Sequence, residues 1–181
     1  MAFNINEIKS QLTFGGAKAS LFSVAITNPI NEAANAITPF MVQAAQIPPS
    51  TLGVIEVPYF GRKVKVAGDR TFGEWTVTVI NDEDFLVRNA MEEWMASINS
   101  HLGNVSGAIP GGYKNQAQIT QYGKAGNAVR TYNFNGLFPT NIGEITMDWN
   151  TTDEIETFEI TFQYDWWDIT GGTTGDGGTT A

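Results

Sequence analysis

The amino-acid sequence predicts a mainly β fold, a β-sandwich or incomplete barrel of about eight antiparallel strands with one helix packed on its side. Three observations carry this prediction. Segments of alternating apolar and polar residues recur along the chain, separated by Gly, Pro and Asn, the period-two signature of strands with one buried face. One segment in the middle switches to helical spacing. The chain has 181 residues, 42% of them hydrophobic, which suits a single core, since a domain of this size buries roughly 70% of the surface its unfolded chain exposes. No internal repeat of fixed period is present.

At the start, Ile5, Ile8 and Leu12 recur at helical spacing, so residues 4–11 read as a short amphipathic helix that Gly15 and Gly16 terminate. A helix this short is marginal alone and needs a packing surface. Residues 21–27 alternate Phe22, Val24 and Ile26 against Leu21, Ser23 and Ala25 and read as the first strand. A loop over residues 28–38 with Asn28-Pro29 leads past Pro39 to a second strand at 40–47. Residues 48–60 hold Pro48, Pro49 and Pro58 and read as a long loop without structure of its own, followed by a strand at 62–67. The clearest strand covers 74–80, with Trp75, Val77 and Val79 on one face and Glu74, Thr76 and Thr78 on the other.

The helix follows. Asn81 or Asp82 can cap it, and Asp82, Glu83 and Asp84 put negative charge at the positive end of its dipole. Val87, Met91, Trp94 and Ile98 form its apolar stripe, and Gly103 and the Pro110-Gly111-Gly112 loop end it. Strands at 115–122 and 129–135 flank a hairpin loop at 123–127. Strands at 142–149 and 154–166 flank a second turn at 150–153, the last strand directing Phe158, Ile160, Phe162, Tyr164 and Trp166 inward. A Gly/Thr-rich tail over 171–181 follows a domain expected to span 1–170.

The strands fall into two kinds. Those at 74–80, 142–149 and 154–166 carry large apolar residues on one face. Residues 115–122 offer only Ala117 and Ile119 to a core, opposite Gln116, Gln118 and Thr120; residues 62–67 offer Val64 and Val66, opposite Lys63 and Lys65; residues 129–135 offer Tyr132 and Phe134, opposite Thr131, Asn133 and Asn135. A sheet with one thinly apolar and one polar face fits either the solvent face of a monomer or the wall of a water-filled passage. Its edges must be blunted or paired, and continuing into a neighbouring subunit pairs them.

Composition narrows the function. Without cysteine, disulfides, thiolate metal sites and cysteine nucleophiles are excluded. The single histidine, His101, lies in the Gly-rich exit of the helix and reads as a solvated loop residue, since alone it makes neither a His-rich zinc site nor a Ser-His-Asp triad. The acidic groups Asp82-Glu83-Asp84, Glu92-Glu93 and Asp153-Glu154 with Glu156 are explained by a helix start, a solvated helix face and a turn, and none has the spacing of a calcium loop. No phosphate-loop or dinucleotide fingerprint occurs. A formal net charge of −9 argues against tight nucleic-acid binding, which releases counterions through basic contacts. No apolar run approaches ~18 residues, and the first residues lack a signal peptide's basic flank, so folding in the cytoplasm is expected. No catalytic residue, metal ligand or cofactor is predicted.

Two ordered blocks resemble the tail tube proteins of contractile-tailed, T4-like bacteriophages. The first runs from Arg62 through Gly68-Asp69-Arg70-Thr71-Phe72-Gly73-Glu74-Trp75 to Asp82. The second runs from Gly136-Leu137-Phe138-Pro139 to Trp149 and continues from Glu154 to Phe162. With Leu21-Phe22 and Tyr113-Lys114 the likeness spans nearly the whole chain to Trp167; the 28–38 loop and the tail from Gly171 depart from it. The resemblance implies a non-enzymatic virion subunit. Six copies form a ring whose inner sheets join into a continuous barrel, and rings stack into the tube through which viral DNA is delivered. It implies a sheath outside, a tape measure protein and transiently DNA in the lumen, and baseplate and terminator proteins at the ends. Under this reading Lys63, Lys65, Gln116, Gln118, Thr120, Thr131, Asn133 and Asn135 are expected toward the lumen. Ring stacking is expected at Leu52, Ile55, Tyr59 and Phe60, with Ile5, Ile8 and Leu12 of the 1–20 segment and Trp167 as lesser contributors. Two alternatives stand beside it: the tube of a related contractile injection machine, and a monomeric carbohydrate-binding sandwich using Trp166 and Trp167 as a platform.

Overall fold

The computed structural model describes residues 5–12, 15–103 and 109–171. Helix α1 (Ile5–Gln11) precedes β1 (Phe22–Ile26); a 3-10 turn (Glu32–Ala36) and the single turn α2 (Thr38–Met41) lead to β2 (Val42–Ala45). Then come β3 (Ser50–Tyr59), β4 (Arg62–Phe72), β5 (Trp75–Ile80) and the long helix α3 (Leu86–Ile98). The short α4 (Pro110–Tyr113) opens a run of four strands: β6 (Asn115–Tyr122), β7 (Ala128–Ile142), β8 (Thr157–Gln163) and β9 (Trp166–Thr170).

Seven strands are hydrogen-bonded in the order β1-β6-β7-β8-β5-β2, with β9 also on β7, every pairing antiparallel. Strand β7 belongs to two layers. Its first part pairs with β6 on one side and β9 on the other, as in Ile119↔Tyr132↔Ile169; its last part pairs with β8, as in Ile142↔Ile160. The chain crosses between layers at Gly136, whose φ is +70°, a conformation only glycine adopts without strain. A side chain there would also collide with the carboxylate of Asp165. The segment between β8 and β9 bends at the same level, where the Asp165 amide donates to the Asn135 carbonyl at 2.9 Å and Lys114 Nζ reaches Asp165 Oδ1 at 2.6 Å.

The core forms because the inward sets of both layers and of α3 meet in one cluster. Trp75 stacks on Phe134 at 4.5 Å between ring centres and touches Phe162 at 5.4 Å. Trp94 of α3 closes the cluster and satisfies its indole by donating to the Tyr113 carbonyl at 2.8 Å. Burying each such ring is worth up to about 3 kcal/mol relative to leaving it in water. The 28–38 loop is tied to this assembly by buried Asn28, whose amide donates to the Ala90 carbonyl of α3 at 2.8 Å while its oxygen accepts from Ile30.

The structure corrects the sequence reading at several elements. Residues 50–59 are a ten-residue strand, paired along β4; Pro58 is tolerated because a two-stranded ribbon is all edge. Val64 and Val66 are consequently exposed rather than core. Residues 38–41 form a helical turn with Pro39 in its first positions, where the missing N–H is no loss. The main helix begins at Leu86, after a turn in which Asp84 Oδ1 accepts from the Leu86 amide at 2.9 Å. Finally, residues 142–149 are not a strand: β7 extends through Ile142, and 143–156 form a loop with Met147, Trp149 and Ile155 exposed. The 154–166 strand divides into β8 and β9, and the bend turns Trp166 outward while Trp167 and Ile169 point in. The Gly/Thr tail beyond residue 171 lies outside the described residues.

Candidate functional site

Two surfaces stand out against this frame. The first is the outer face of the four strands β1, β6, β7 and β9. Because directly opposed residues share a face, the pairs Gln118↔Asn133 and Thr120↔Thr131, with Gln116 and Asn135 beside them, bring together six of the eight residues expected at a lumen. The register extends the face to Ser23 and Ala25 of β1 and to Trp166, Asp168 and Thr170 of β9. Its side chains satisfy one another: Asn133 Nδ2 donates to Asp168 Oδ1 at 2.8 Å and to Thr170 Oγ1 at 3.1 Å, and Gln116 Nε2 donates to Asn135 Oδ1 at 3.3 Å. Thr120 and Thr131 hydroxyls meet at 3.4 Å, and those of Ser23 and Tyr122 at 3.1 Å. Among the described residues Asp168 is the one charged side chain on this face, and its carboxylate is engaged by Asn133. A wall of mutually bonded amides and hydroxyls offers phosphates almost no cation to grip.

Lys63 and Lys65 are not on this sheet. They lie on β4, in the separate β3–β4 hairpin, where Lys63 pairs with Glu56 at 2.5 Å. That hairpin is the second surface. It turns through Phe60 and Gly61, both at positive φ, a two-residue turn of the kind that matches strand twist. Sequence reading missed it because Phe60 occupies a position where Asn or Gly is the usual signal. One face carries Ile55, Val57, Val64 and Val66 with Tyr59 and Arg62 at the tip; the other carries Glu56, Lys63 and Lys65. Both faces are exposed, so the arm has strand alternation but, among the described residues, no layer beneath it.

The expected stacking residues divide accordingly. Leu52, Ile55, Tyr59 and Phe60 all lie exposed on the hairpin, and Ile5, Ile8 and Leu12 are exposed on or just after α1, which buries no residue. Trp167 instead sits half-buried between Phe72 and Tyr132, so its ring serves the subunit's own packing. Phe72 and Tyr164 anchor the hairpin base: their rings approach to 6.1 Å, and the Tyr164 hydroxyl donates to the Gly73 carbonyl at 2.6 Å. Burial pushes the Tyr164 phenol up to about 12.

His101 is exposed in a turn, and among the described residues no group of three or more His, Asp or Glu could hold a metal ion. No helix among them is long and apolar enough to cross a membrane.

This arrangement, a two-layer sandwich with a polar open sheet and a projecting hairpin, defines a class of assembling structural subunits. The chain belongs to the phage tail tube protein family, whose model matches residues 5–170, and is therefore a structural component of a virion tail. It is 38% identical over 130 residues to tail tube protein gp19 of Enterobacteria phage T4, an alignment covering 71% of this chain and 80% of that protein. The tail tube protein of Serratia phage KSP90 is 30% identical over 117 residues, covering 65% and 66%. Among solved structures, the tube-terminating cap of the anti-feeding prophage shares the fold with a TM-score of 0.64 at 21% identity, over 87% of this chain and 92% of that one. A sheath–tube complex of an extracellular contractile injection system in its extended state matches with a TM-score of 0.60 at 19% identity, over 94% and 99%.

Proposed function

We propose that copies of this chain form hexameric rings that stack into the inner tube of a contractile tail, with the β1-β6-β7-β9 face lining the channel for viral DNA. The observation that carries the reading is a polar, nearly uncharged sheet face whose two end strands, β1 and β9, each pair on one side only among the described residues. Successive strands alternate in direction, so β1 and β9 run oppositely. Copies related by rotation about a channel axis therefore bring β9 of one against β1 of the next as an antiparallel pair. That removes both exposed edges. The role is structural rather than catalytic, the subunit folds in the host cytoplasm, and the sheath packs on the outside. The tape measure protein precedes the DNA in the lumen, and baseplate and terminator proteins close the ends. The exposed residues of the hairpin and of α1 serve contacts between copies.

The test places cations on the channel wall. Replacing Gln118 and Asn133 together by Arg leaves the core untouched, and an Arg at 133 faces the Asp168 carboxylate. The variant should fold and form tubes, slow DNA ejection, and lose that delay as salt rises, since phosphate contacts are salt-sensitive. Ejection at the parental rate at all salt concentrations would remove this face from the lumen.

A further inference from the structure

The tryptophans of the chain divide by what their rings touch. Trp75 and Trp94 are fully buried, and Trp167 packs between Phe72 and Tyr132. Trp149 stands fully exposed on the 143–156 loop. Trp166 fits neither case. It opens β9 opposite Asn135, on the same face as Asp168 and Thr170, and is 48% exposed. Successive residues of a strand leave opposite faces, so Trp166 and Trp167 form no joint platform for a flat ligand: one ring serves the core and the other stands on the polar wall. Among the described residues no hydrogen bond or ring contact engages the Trp166 indole. Its place beside Asn135, one residue before the crossing at Gly136, puts the ring at one end of that wall.

The groups around it are already paired. Gln116 donates to Asn135 at 3.3 Å, and Asn133 to Asp168 at 2.8 Å. Breaking such bonds brings a passing molecule no net gain, whereas covering the indole does. A DNA duplex gives this ring little, since its bases are stacked inside and its outer surface is mostly phosphate and sugar. A polypeptide offers aliphatic and aromatic side chains to the ring and backbone carbonyls to the indole N–H, the combination that makes Trp a frequent anchor between proteins. We infer that Trp166 is the channel's polypeptide contact: it holds a protein with exposed apolar side chains threaded along the wall and lets a duplex slide past. Resting on the lumen reading above, this gives one uncharged wall two behaviours. In hexameric rings the contact recurs around each ring and again in every ring stacked on it, so individually weak contacts sum along the tube.

Assembled tails test it, with the tape measure protein of the same particle as the probe. A photoreactive ring placed by Trp166→p-benzoylphenylalanine should cross-link to that protein on irradiation. Cross-links to another copy of the tube chain, which would make Trp166 a contact at the β1–β9 seam, to DNA alone, or to nothing would each overturn the inference. Trp166→Thr matches the neighbouring side chains of the wall. It should keep the parental denaturation midpoint and the tube, and release the tape measure protein ~tenfold faster from isolated tails in mild denaturant. Trp166→Phe should restore most of the retention. Parental retention by Trp166→Thr, or a folded variant that forms no tube, would overturn the inference as well. Failure of the lumen reading shows elsewhere. The chain has no cysteine, so tubes carrying only Thr120→Cys should react with a small maleimide and resist a maleimide on a bulky polymer. Full reaction with the polymer reagent would put this face outside the tube and remove the lumen reading itself.

Discussion

The β6–β7 pair and the β3–β4 hairpin are both antiparallel ribbons with clean alternation, yet they meet opposite fates. The inward residues of β6 and β7, among them Ala117, Ile119, Tyr132 and Phe134, are buried. The equivalent residues of the hairpin, Ile55, Val57, Val64 and Val66, are about half exposed. Alternation therefore marks a face prepared for burial without saying which layer covers it. In the first ribbon the covering layer belongs to the same chain. In the second no such layer exists among the described residues, and the proposed function supplies it from another copy.

The sharpest way to break this comparison is to remove apolar bulk from each ribbon in turn. Phe134 is fully buried and stacked on Trp75, so Phe134→Ala should cost about 3–5 kcal/mol through the cavity it leaves. Deleting residues 54–67 and closing the hairpin above Gly53 and Gly68 removes more apolar surface, but from positions already in water. Chemical denaturation should show a large loss for the first variant and a loss within about 1 kcal/mol for the second. An equally large loss from the deletion would mean that the arm is part of the fold.

A smaller effect is expected where β7 passes between layers. Gly136→Ala forces a left-handed backbone on an L-residue and pushes its Cβ into Asp165, a combination expected to cost about 1–3 kcal/mol. No corresponding loss should follow at Gly126, which also has positive φ but has nothing near its missing Cβ, beyond the backbone strain that both share. Denaturation midpoints of Gly136→Ala and Gly126→Ala check the difference; equal losses would mean that Asp165 does not constrain the crossing.

The smallest effect lies at the joint between the two regions. Tyr164 donates to Gly73 at the hairpin base, and burial raises its phenol from 10.0 to about 12. A pKa higher in the folded than in the unfolded chain makes the protonated form the stabilising one. The contribution is thus complete below pH ~10 and is lost as pH rises from there through about 12. Tyr164→Phe should remove this part of the alkaline slope of stability, measured by thermal unfolding between pH 9 and ~12 against the parent. An unchanged slope would place the phenol in contact with water.

How much was legible in the sequence depends on where each segment's partner lies. The strands at 22–26, 75–80, 115–122 and the first part of β7 follow from alternation, as do the stripe of α3 and the polar set Gln116, Gln118, Thr120, Thr131, Asn133 and Asn135. The hairpin was obscured because prolines at 48, 49 and 58 and a Phe60-Gly61 turn are weak strand signals. The 142–149 segment misled for the opposite reason. Its Ile145, Met147 and Trp149 alternate like a strand, but after the Gly143 amide, which donates to the Glu159 carbonyl of β8 at 2.6 Å, no strand among the described residues pairs with it.

Composition and local pattern were enough to dictate a single core, the absence of cysteine chemistry and the polar character of one set of strands. These depend only on composition and on residues near one another in the chain. Tertiary structure decided that β7 serves both layers, that Asp168 and Thr170 complete the polar face, and that Lys63 and Lys65 leave it for a separate arm. Those facts rest on pairings between distant segments, such as Asn133 with Asp168. Local alternation is blind to such pairings because it fixes which side chains share a face and never which strand lies alongside.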